Sequence, residues 1–470
     1  MTTAPAASLR APTSIRTVTS PLTLRRALSL PLSSPAGEGW EEEADSAAKL
    51  AVLRKVGSVR TMRTGLLLGF LVCGIGARGQ SVLTPPPPVS VTPPALAEFQ
   101  SSELGVVQRV EESTGIPLGT LPFQWGPVNL RPQLFYSLSY ASGLLSTPGA
   151  PASSIVNQFS PGMLFTIGSH WTIDYTPTWR WYSSSQFHDS LDHSLALNGW
   201  SAYEDWTFGL SQTYGRSSGS LAQTGTQTEQ ESFGTALNSS YRFNSKVSLD
   251  LSLSQNLQSA DQFQGYRQWS TMEFLNYQFW PRFTAGLGVG AGYVDVDVGA
   301  NMAFEQFQGR ISWLATGKTS LVFHGGLEYR QFLSGGVNPI LNPIFGLSLQ
   351  TLLAKKTSLS IGADRGVSAS YFANQASEST TVSVSLSQGI TSRLNFGVSG
   401  SYGTTSYSSS ALGVAASGGY DYISLSTRLS YYPIKRVTVS ATYQFSNNSS
   451  SQPGLSFQSN QIGLELSYNF

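Results

Sequence analysis

From Leu130 to the C-terminus, hydrophobicity in this chain alternates with a period of two, in run after run. Trp171, Ile173, Tyr175, Pro177, Trp179 and Trp181 alternate with Thr172, Asp174, Thr176, Thr178 and Arg180. Val247, Leu249, Leu251 and Leu253 alternate with Ser248, Asp250, Ser252 and Ser254, and Ile462, Leu464, Leu466, Tyr468 and Phe470 with Gly463, Glu465, Ser467 and Asn469. Successive side chains of a strand point to opposite faces, so each run makes a strand with one apolar and one polar face. Most runs extend for about ten to thirteen residues. Globular strands average about five or six, whereas about nine to eleven residues of tilted strand cross a bilayer. Such a sheet belongs between hydrocarbon and water. There it must close on itself, because each unpaired edge group in lipid costs several kcal/mol.

The connections alternate between short and long. Lys246-Val247-Ser248-Leu249, Arg282-Phe283-Thr284-Ala285, Lys318-Thr319-Ser320-Leu321, Lys356-Thr357-Ser358-Leu359, Arg393-Leu394-Asn395-Phe396 and Arg436-Val437-Thr438-Val439 share one pattern, spaced 36, 36, 38, 37 and 43 residues apart. In each, a basic residue closes a tight turn and a strand begins at once, which marks an internal repeat of hairpins. The pattern predicts an all-β, antiparallel, up-and-down transmembrane barrel of about 18 strands, within a range of 16–20. The expected strands are 131–141, 160–168, 171–182, 191–199, 204–215, 231–243, 246–257, 268–280, 282–294, 303–315, 318–332, 343–353, 357–370, 379–388, 392–403, 420–432, 436–447 and 458–470. Turn chemistry is weakest over 155–205. Short turns on one side and long loops on the other are the asymmetry of bacterial transmembrane barrels.

Charged residues make up 12% of the chain, against about 25% in a typical soluble protein. With 46 glycines and 11% aromatics, the composition excludes a disordered chain, which is charge-rich and aromatic-poor. The single long apolar run is too short for a helical span. A net charge of +1 carries no nucleic-acid signature.

That apolar run lies in residues 62–79, where Arg60 and Arg63 precede an apolar stretch over 65–76 and Ala77-Arg78-Gly79 supplies a small-x-small cleavage site. It reads as a secretory signal starting at Met62, with residues 1–61 as an extension outside the native start. Cys73, the only cysteine, lies within the signal. Residues 80–122 read as a proline-rich periplasmic leader, polyproline II over Thr84–Pro94 with a short helix within 95–113. The barrel is assigned to 123–470.

Charge placement tests the strand phases independently. Asp174, Arg180, Arg242, Asp250, Arg310, Glu328, Arg330, Asp364, Arg428 and Glu465 all fall opposite the apolar phase, so they are expected to line the interior. A lipid-facing Arg or Lys at mid-membrane would cost about 2–4 kcal/mol. Glu273 is the exception: it shares a phase with Leu275, Tyr277 and Phe279, so a bulge is expected in that strand. Aromatics crowd the strand ends as interface girdles: Tyr277, Phe279 and Trp280; Trp313; Tyr431 and Tyr432; Tyr468 and Phe470.

The last strand, ending Leu466-Ser467-Tyr468-Asn469-Phe470, resembles the terminal signal that bacterial assembly machinery reads in outer-membrane barrels. Together with Gly126-Pro127-Val128-Asn129-Leu130-Arg131-Pro132 and the turn Trp313–Leu321, it resembles the outer-membrane beta-barrel porin family of Gram-negative bacteria over about residues 123–470. The resemblance implies a location in the outer membrane, contact with its lipids and lipopolysaccharide, and delivery by the barrel-assembly machinery through Tyr468 and Phe470. It implies no particular solute or oligomeric state. About 16–18 strands leave an aqueous interior. The expected function is therefore a porin-like channel for passive diffusion of small hydrophilic solutes, with no catalytic residues, metal or cofactor. The alternative is a non-conducting structural or surface-interaction barrel with a plugged lumen.

Other clusters give weaker signals. His188-Asp189-Ser190-Leu191-Asp192-His193 and Asp295-Val296-Asp297 read as polar loop and strand ends, since metal sites need defined ligand geometry and second-shell support. Gly215-Arg216-Ser217-Ser218-Gly219 matches a nucleophile-elbow pattern but opens a Ser/Gly/Gln/Thr loop over 215–231 rather than a strand-to-helix turn. His324 falls on the inward phase. Gly286, Gly288, Gly290 and Gly292 face inward on one strand, so that wall is expected to offer open space or to receive an inserted loop such as 215–231 or 403–420.

Overall fold

A computed structural model describes residues 123–220, 223–334, 336, 338–409 and 418–469. The extension, signal and leader assigned to 1–122, and Phe470, lie outside the described residues. The elements in chain order are β1 (Gln124–Trp125), β2 (Val128–Leu145), β3 (Pro151–Ile167), β4 (Trp171–Tyr182), β5 (Ser190–Tyr203), β6 (Trp206–Ser220), β7 (Gln227–Arg242), β8 (Val247–Ala260), β9 (Phe263–Trp280), β10 (Phe283–Val296), β11 (Met302–Thr316), β12 (Thr319–Phe332), β13 (Ile340–Ala354), β14 (Thr357–Ala369), β15 (Gln375–Gly389), β16 (Leu394–Ser409), β17 (Tyr420–Ile434), β18 (Val437–Ser450) and β19 (Phe457–Asn469). Strand β1 pairs only with the start of β2. Strands β2 to β19 each pair antiparallel with their chain neighbours, and β19 pairs with β2, closing a barrel of 18 strands.

The closing pair shows why the register is unique. Tyr140, Leu138, Tyr136 and Leu134 stand opposite Ile462, Leu464, Leu466 and Tyr468, all facing outward, while Ser139 and Ser137 face Gly463 and Glu465 inside. Each cross-strand apolar pair adds roughly 0.2–1 kcal/mol over an alanine pair. A one-residue slip of β19 would turn Glu465 outward and Ile462, Leu464, Leu466 and Tyr468 inward, breaking all four pairs. The same phase holds around the barrel, so large side chains such as Leu287, Ile462 and Leu464 stand exposed on its outer surface. An apolar belt of this kind suits hydrocarbon and not water.

At one end, the turn end, side-chain oxygens build the short connections. Asn244 Oδ1 accepts from the Lys246 and Val247 amides at 2.8 and 2.9 Å. The Thr316 and Thr391 hydroxyls accept from the Lys318 and Arg393 amides at 3.1 and 3.2 Å. These are Asx- and ST-turns, and they fix where β8, β12 and β16 begin. At the opposite, loop end, the strands outrun the sequence expectation: β3 starts at Pro151 rather than 160, and β7 at Gln227 rather than 231. Alternation is absent over 151–154 and 227–231, while the ladder continues there.

Two expectations are corrected here. No bulge interrupts β9 at Glu273, which pairs in unbroken register with Leu251 and Val289. It therefore faces outward, midway between Trp269 and Tyr277. The glycines of β10 leave neither open space nor room for a loop: side chains from β9 and β11, Asn276, Phe274, Met272 and Phe304, lie over Gly286, Gly288, Gly290 and Gly292 in turn. Any Cβ there would collide with them.

Glu273 yields a stability prediction. A carboxylate in the belt costs less than the roughly 2–4 kcal/mol of a basic residue, so Glu273→Leu should stabilise the barrel by about 1–2 kcal/mol. Urea unfolding in lipid vesicles measures this; an unchanged or lowered midpoint would show that Glu273 has a partner in the membrane.

Candidate functional site: the lumen and its loop-end mouth

The interior has two unlike walls. From β14 to β19 it is a carpet of short polar side chains. One row runs Ser360, Ser385, Ser399, Ser426, Gln444, Gln461 in register. From β9 to β12 it carries bulky groups, among them Met272, Phe274, Phe304 and Arg310.

Most of the charges expected inside are joined in compact pairs. Arg310 bonds Asp250, lies 4.3 Å from the Phe274 ring centroid, and donates to Asn276 Oδ1 at 2.7 Å. Asn276 Nδ2 and the Ser240 hydroxyl donate to Asp250 at 2.9 and 2.7 Å. Arg428 and Glu465 pair at 3.0 Å. Arg180 pairs with Asp192 at 3.3 Å, and Thr176 donates to Asp174 at 3.2 Å. Asp364 stands inward, opposite Gly346 and Thr381. Arg242 ends β7 at the turn end, exposed. His324 points inward, with Nδ1 3.1 Å from Gln308 Oε1.

Glu328 and Arg330 differ from the rest. They are only 2% and 1% exposed, paired at 2.7 Å. Gln306 Nε2 donates to Glu328 at 2.7 Å, and Arg330 Nη2 donates to the Val367 carbonyl at 3.0 Å. Val367 belongs to β14, two strands away, because the loop end of the β14–β15 hairpin folds into the barrel over these residues. An apolar cluster seals the fold: Tyr266, Val294, Met302, Phe304, Phe332, Ala369 and their neighbours. The turn beyond continues across the mouth. Gln258 donates to the Tyr371 hydroxyl, which donates to Gln230 Oε1 at 3.1 Å. Gln223 Nε2 reaches Ser370 Oγ at 2.8 Å. The inserted segment is thus 370–374, met by Gln223 from within the expected 215–231 region; residues 410–417 of the other proposed loop lie outside the described residues.

Burial pushes the Tyr371 phenol up from its ordinary value. A raised pKa means that the contribution of the neutral phenol is fully present below the unfolded value, about 10, and is lost as pH rises through the folded value. The turn should hold across neutral pH and let go only in strong alkali. Conductance followed from pH 7 upward checks this; an increase already near neutrality would contradict it.

The remaining sequence candidates separate. Asp192 faces inward to Arg180, whereas His193 faces outward, its Nδ1 3.0 Å from the Tyr175 hydroxyl. Asp189 accepts from the Tyr182 amide. Among the described residues no His, Cys, Asp and Glu group is placed to hold a metal. Asp295 and Asp297 pair with Arg267 at 2.9 and 3.7 Å on the outer surface. Gly215–Gly219 lies within β6, so the expected loop over 215–231 shrinks to the stretch between Ser220 and Gln227. Sequence reasoning missed Asp192 as the partner of Arg180, although its alternation with Leu191, His193 and Leu195 marks it as inward. It also missed Tyr371, for which no periodic signal exists.

No family model matches the chain, and no curated protein matches it. The solved structures to which it is similar include three from Pseudomonas aeruginosa. These are OccK2 (OpdF) in complex with glucuronate (12% identity, TM-score 0.40, 73% of this chain and 98% of that one), the outer membrane protein OpdK (11%, 0.39, 73% and 99%) and OccK11 (OpdR; 13%, 0.37, 73% and 96%). At such identities and TM-scores the likeness adds nothing to the fold already described.

Proposed function

We propose that the protein is an outer-membrane channel of a Gram-negative bacterium for passive diffusion of small hydrophilic solutes. The observation that carries this reading is the wall of short polar side chains from β14 to β19, inside a closed barrel of 18 strands. A barrel of about 16–18 strands encloses more space than such side chains fill, and water occupies the rest. Asp174, Arg180, Arg242, Asp250, Arg310, Asp364, Arg428 and Glu465 would border the water path, with Glu328 and Arg330 bracing the mouth. Strong ion selectivity comes from rings of one sign, whereas most of these charges pair with opposites, so selectivity should be weak. No step needs a catalytic group, metal or cofactor. The apolar belt would contact outer-membrane lipids and lipopolysaccharide, and Tyr468 with Phe470 would be read by the assembly machinery.

Reconstitution of the protein in a planar bilayer at high salt tests the proposal. Discrete, stable conductance steps with a small reversal potential in a salt gradient are expected. A folded, inserted but silent protein would overturn it and favour the second reading, a barrel plugged at its mouth. That reading draws on the burial of Tyr371 and the Gln223–Ser370 bond.

A further inference from the structure

The backbone ladder of the barrel wall has its longest gap at the seam between β13 and β14. Strands β13 and β14 pair from the turn end only as far as Phe345 and Arg365. On either side pairing continues to the loop end: β12 with β13 to Arg330 and Ile340, and β14 with β15 to Ala369 and Ala376. Residues 340–344 and 366–369 therefore face each other without a ladder. The β5–β6 and β19–β2 ladders also stop before their strands end, at His193–Arg216 and Asn460–Ser142, but over shorter stretches.

Two carbonyls exposed by this gap are met by side chains. The Leu352 amide bonds to the β12 side, so odd-numbered residues of β13 direct their backbone toward β14. Pro343 is one of them and has no N–H to offer. Its carbonyl accepts from Arg365 Nε at 3.2 Å. Across the gap, the Val367 carbonyl accepts from Arg330 Nη2 at 3.0 Å. Two arginines thus stand in for ladder bonds. Arg365 faces outward and is held by Glu378 and by the Thr380 hydroxyl at 2.8 Å. Side-chain bolts release without unpairing a strand, whereas an open ladder in lipid would cost several kcal/mol per group.

What lies behind the seam is apolar. Ile340 and Val367, one on each lip, both pack against the cluster of Val294, Met302, Phe304 and Phe332. A path for hydrophilic solutes has no use for an oily cluster that reaches the wall at its longest ladder gap. We propose that the β13–β14 seam is a lateral port, through which an amphiphile with one acyl chain and an anionic head passes between the barrel interior and the surrounding leaflet. The anionic head competes with Glu378 and the Pro343 carbonyl for Arg365, which withdraws the bolt. The chain follows onto Ile340, Val367 and the cluster. Parting the strands by one further strand spacing, about 4.8 Å, passes a single chain and not a pair. The port is separate from conduction along the barrel axis.

A redox-controlled bolt tests it. Pro343 and Val367 would be opposite each other if the ladder continued, so P343C/V367C, with Cys73→Ser to remove the only native thiol, can lock the seam by a disulfide. The full chain is reconstituted in nanodiscs, and binding of a fluorescent sixteen-carbon carboxylate is titrated. Oxidation should weaken binding at least tenfold and reductant should restore it, while axial conductance stays the same in both states. Arg365→Gln should weaken binding of the carboxylate but not of the matching alcohol. Equal binding with the seam locked and unlocked, or no binding at all, would overturn the port, whatever the conductance shows. The unaltered protein gives a second readout, free of any folding defect. A diazirine-bearing sixteen-carbon carboxylate should label Ile340, Phe332 or Met302, and labelling confined to outward belt residues would equally sink the proposal.

Discussion

Replacing residues 370–374 by a two-residue Asn-Gly turn should raise single-channel conductance severalfold and leave the barrel folded. The segment is the part of the β14–β15 hairpin that crosses the mouth. Its removal deletes the Tyr371 contacts to Gln230 and Gln258 and the Ser370 contact to Gln223. None of these bonds belongs to the wall, since β14 and β15 stay paired from Thr357–Gln388 up to Ala369–Ala376. An Asn-Gly pair closes a tight hairpin at low cost. Bilayer recordings of both proteins, with heat-modified gel mobility as the folding control, make the comparison. If conductance is unchanged, the narrowest point lies deeper, near Arg310 and Phe274. If both proteins are silent, the lumen is blocked along its length and the channel reading fails.

The second large effect belongs to Arg330. Arg330→Met should destabilise the barrel by about 3–5 kcal/mol, because it leaves the Glu328 carboxylate buried without its cation. It also removes the donor to the Val367 carbonyl, so the hairpin end should loosen and the mouth should fluctuate more. The double substitution E328L/R330M should recover much of the loss, as apolar replacement of a buried pair often does, and the Phe304 ring 4.8 Å from the guanidinium carbon would pack on the new methionine. Chemical unfolding of the two variants in vesicles, with open-channel noise recorded alongside, checks both parts. A single variant as stable as the unaltered protein would mean that water reaches Glu328, and that the infolded hairpin is not tightly seated.

Alternation made most of the barrel legible. Eighteen strands were expected and eighteen form, including β3 to β5 in the stretch where turn chemistry is weak. The reason is that lipid punishes every misplaced charge, so the phase of each strand is written in its residues. Leu464, Glu465 and Leu466 state their faces without help from any neighbour. The turns at Asn244, Thr316 and Thr391 are legible too, because Asx- and ST-turns are local.

What alternation states is a face, not a partner. Asp250 is inward from its phase alone, but that it meets Arg310, 60 residues away, follows from the order of strands around the barrel and their stagger. Met272 and Phe274 suggest a bulge at Glu273 because they favour the opposite phase, yet the ladders to β8 and β10 run unbroken through it. The β10 glycines suggested vacant space because a sequence shows an absent side chain but not the rings of Phe274 and Phe304 that lean over it. At the loop edge of the belt, Ser, Thr and Gln are equally suited to continuing the wall or bending into the lumen. Only the packing of Val367, Ala369 and Tyr371 against strands far away in the chain decided that the β14–β15 hairpin turns inward and that the wall parts beside it.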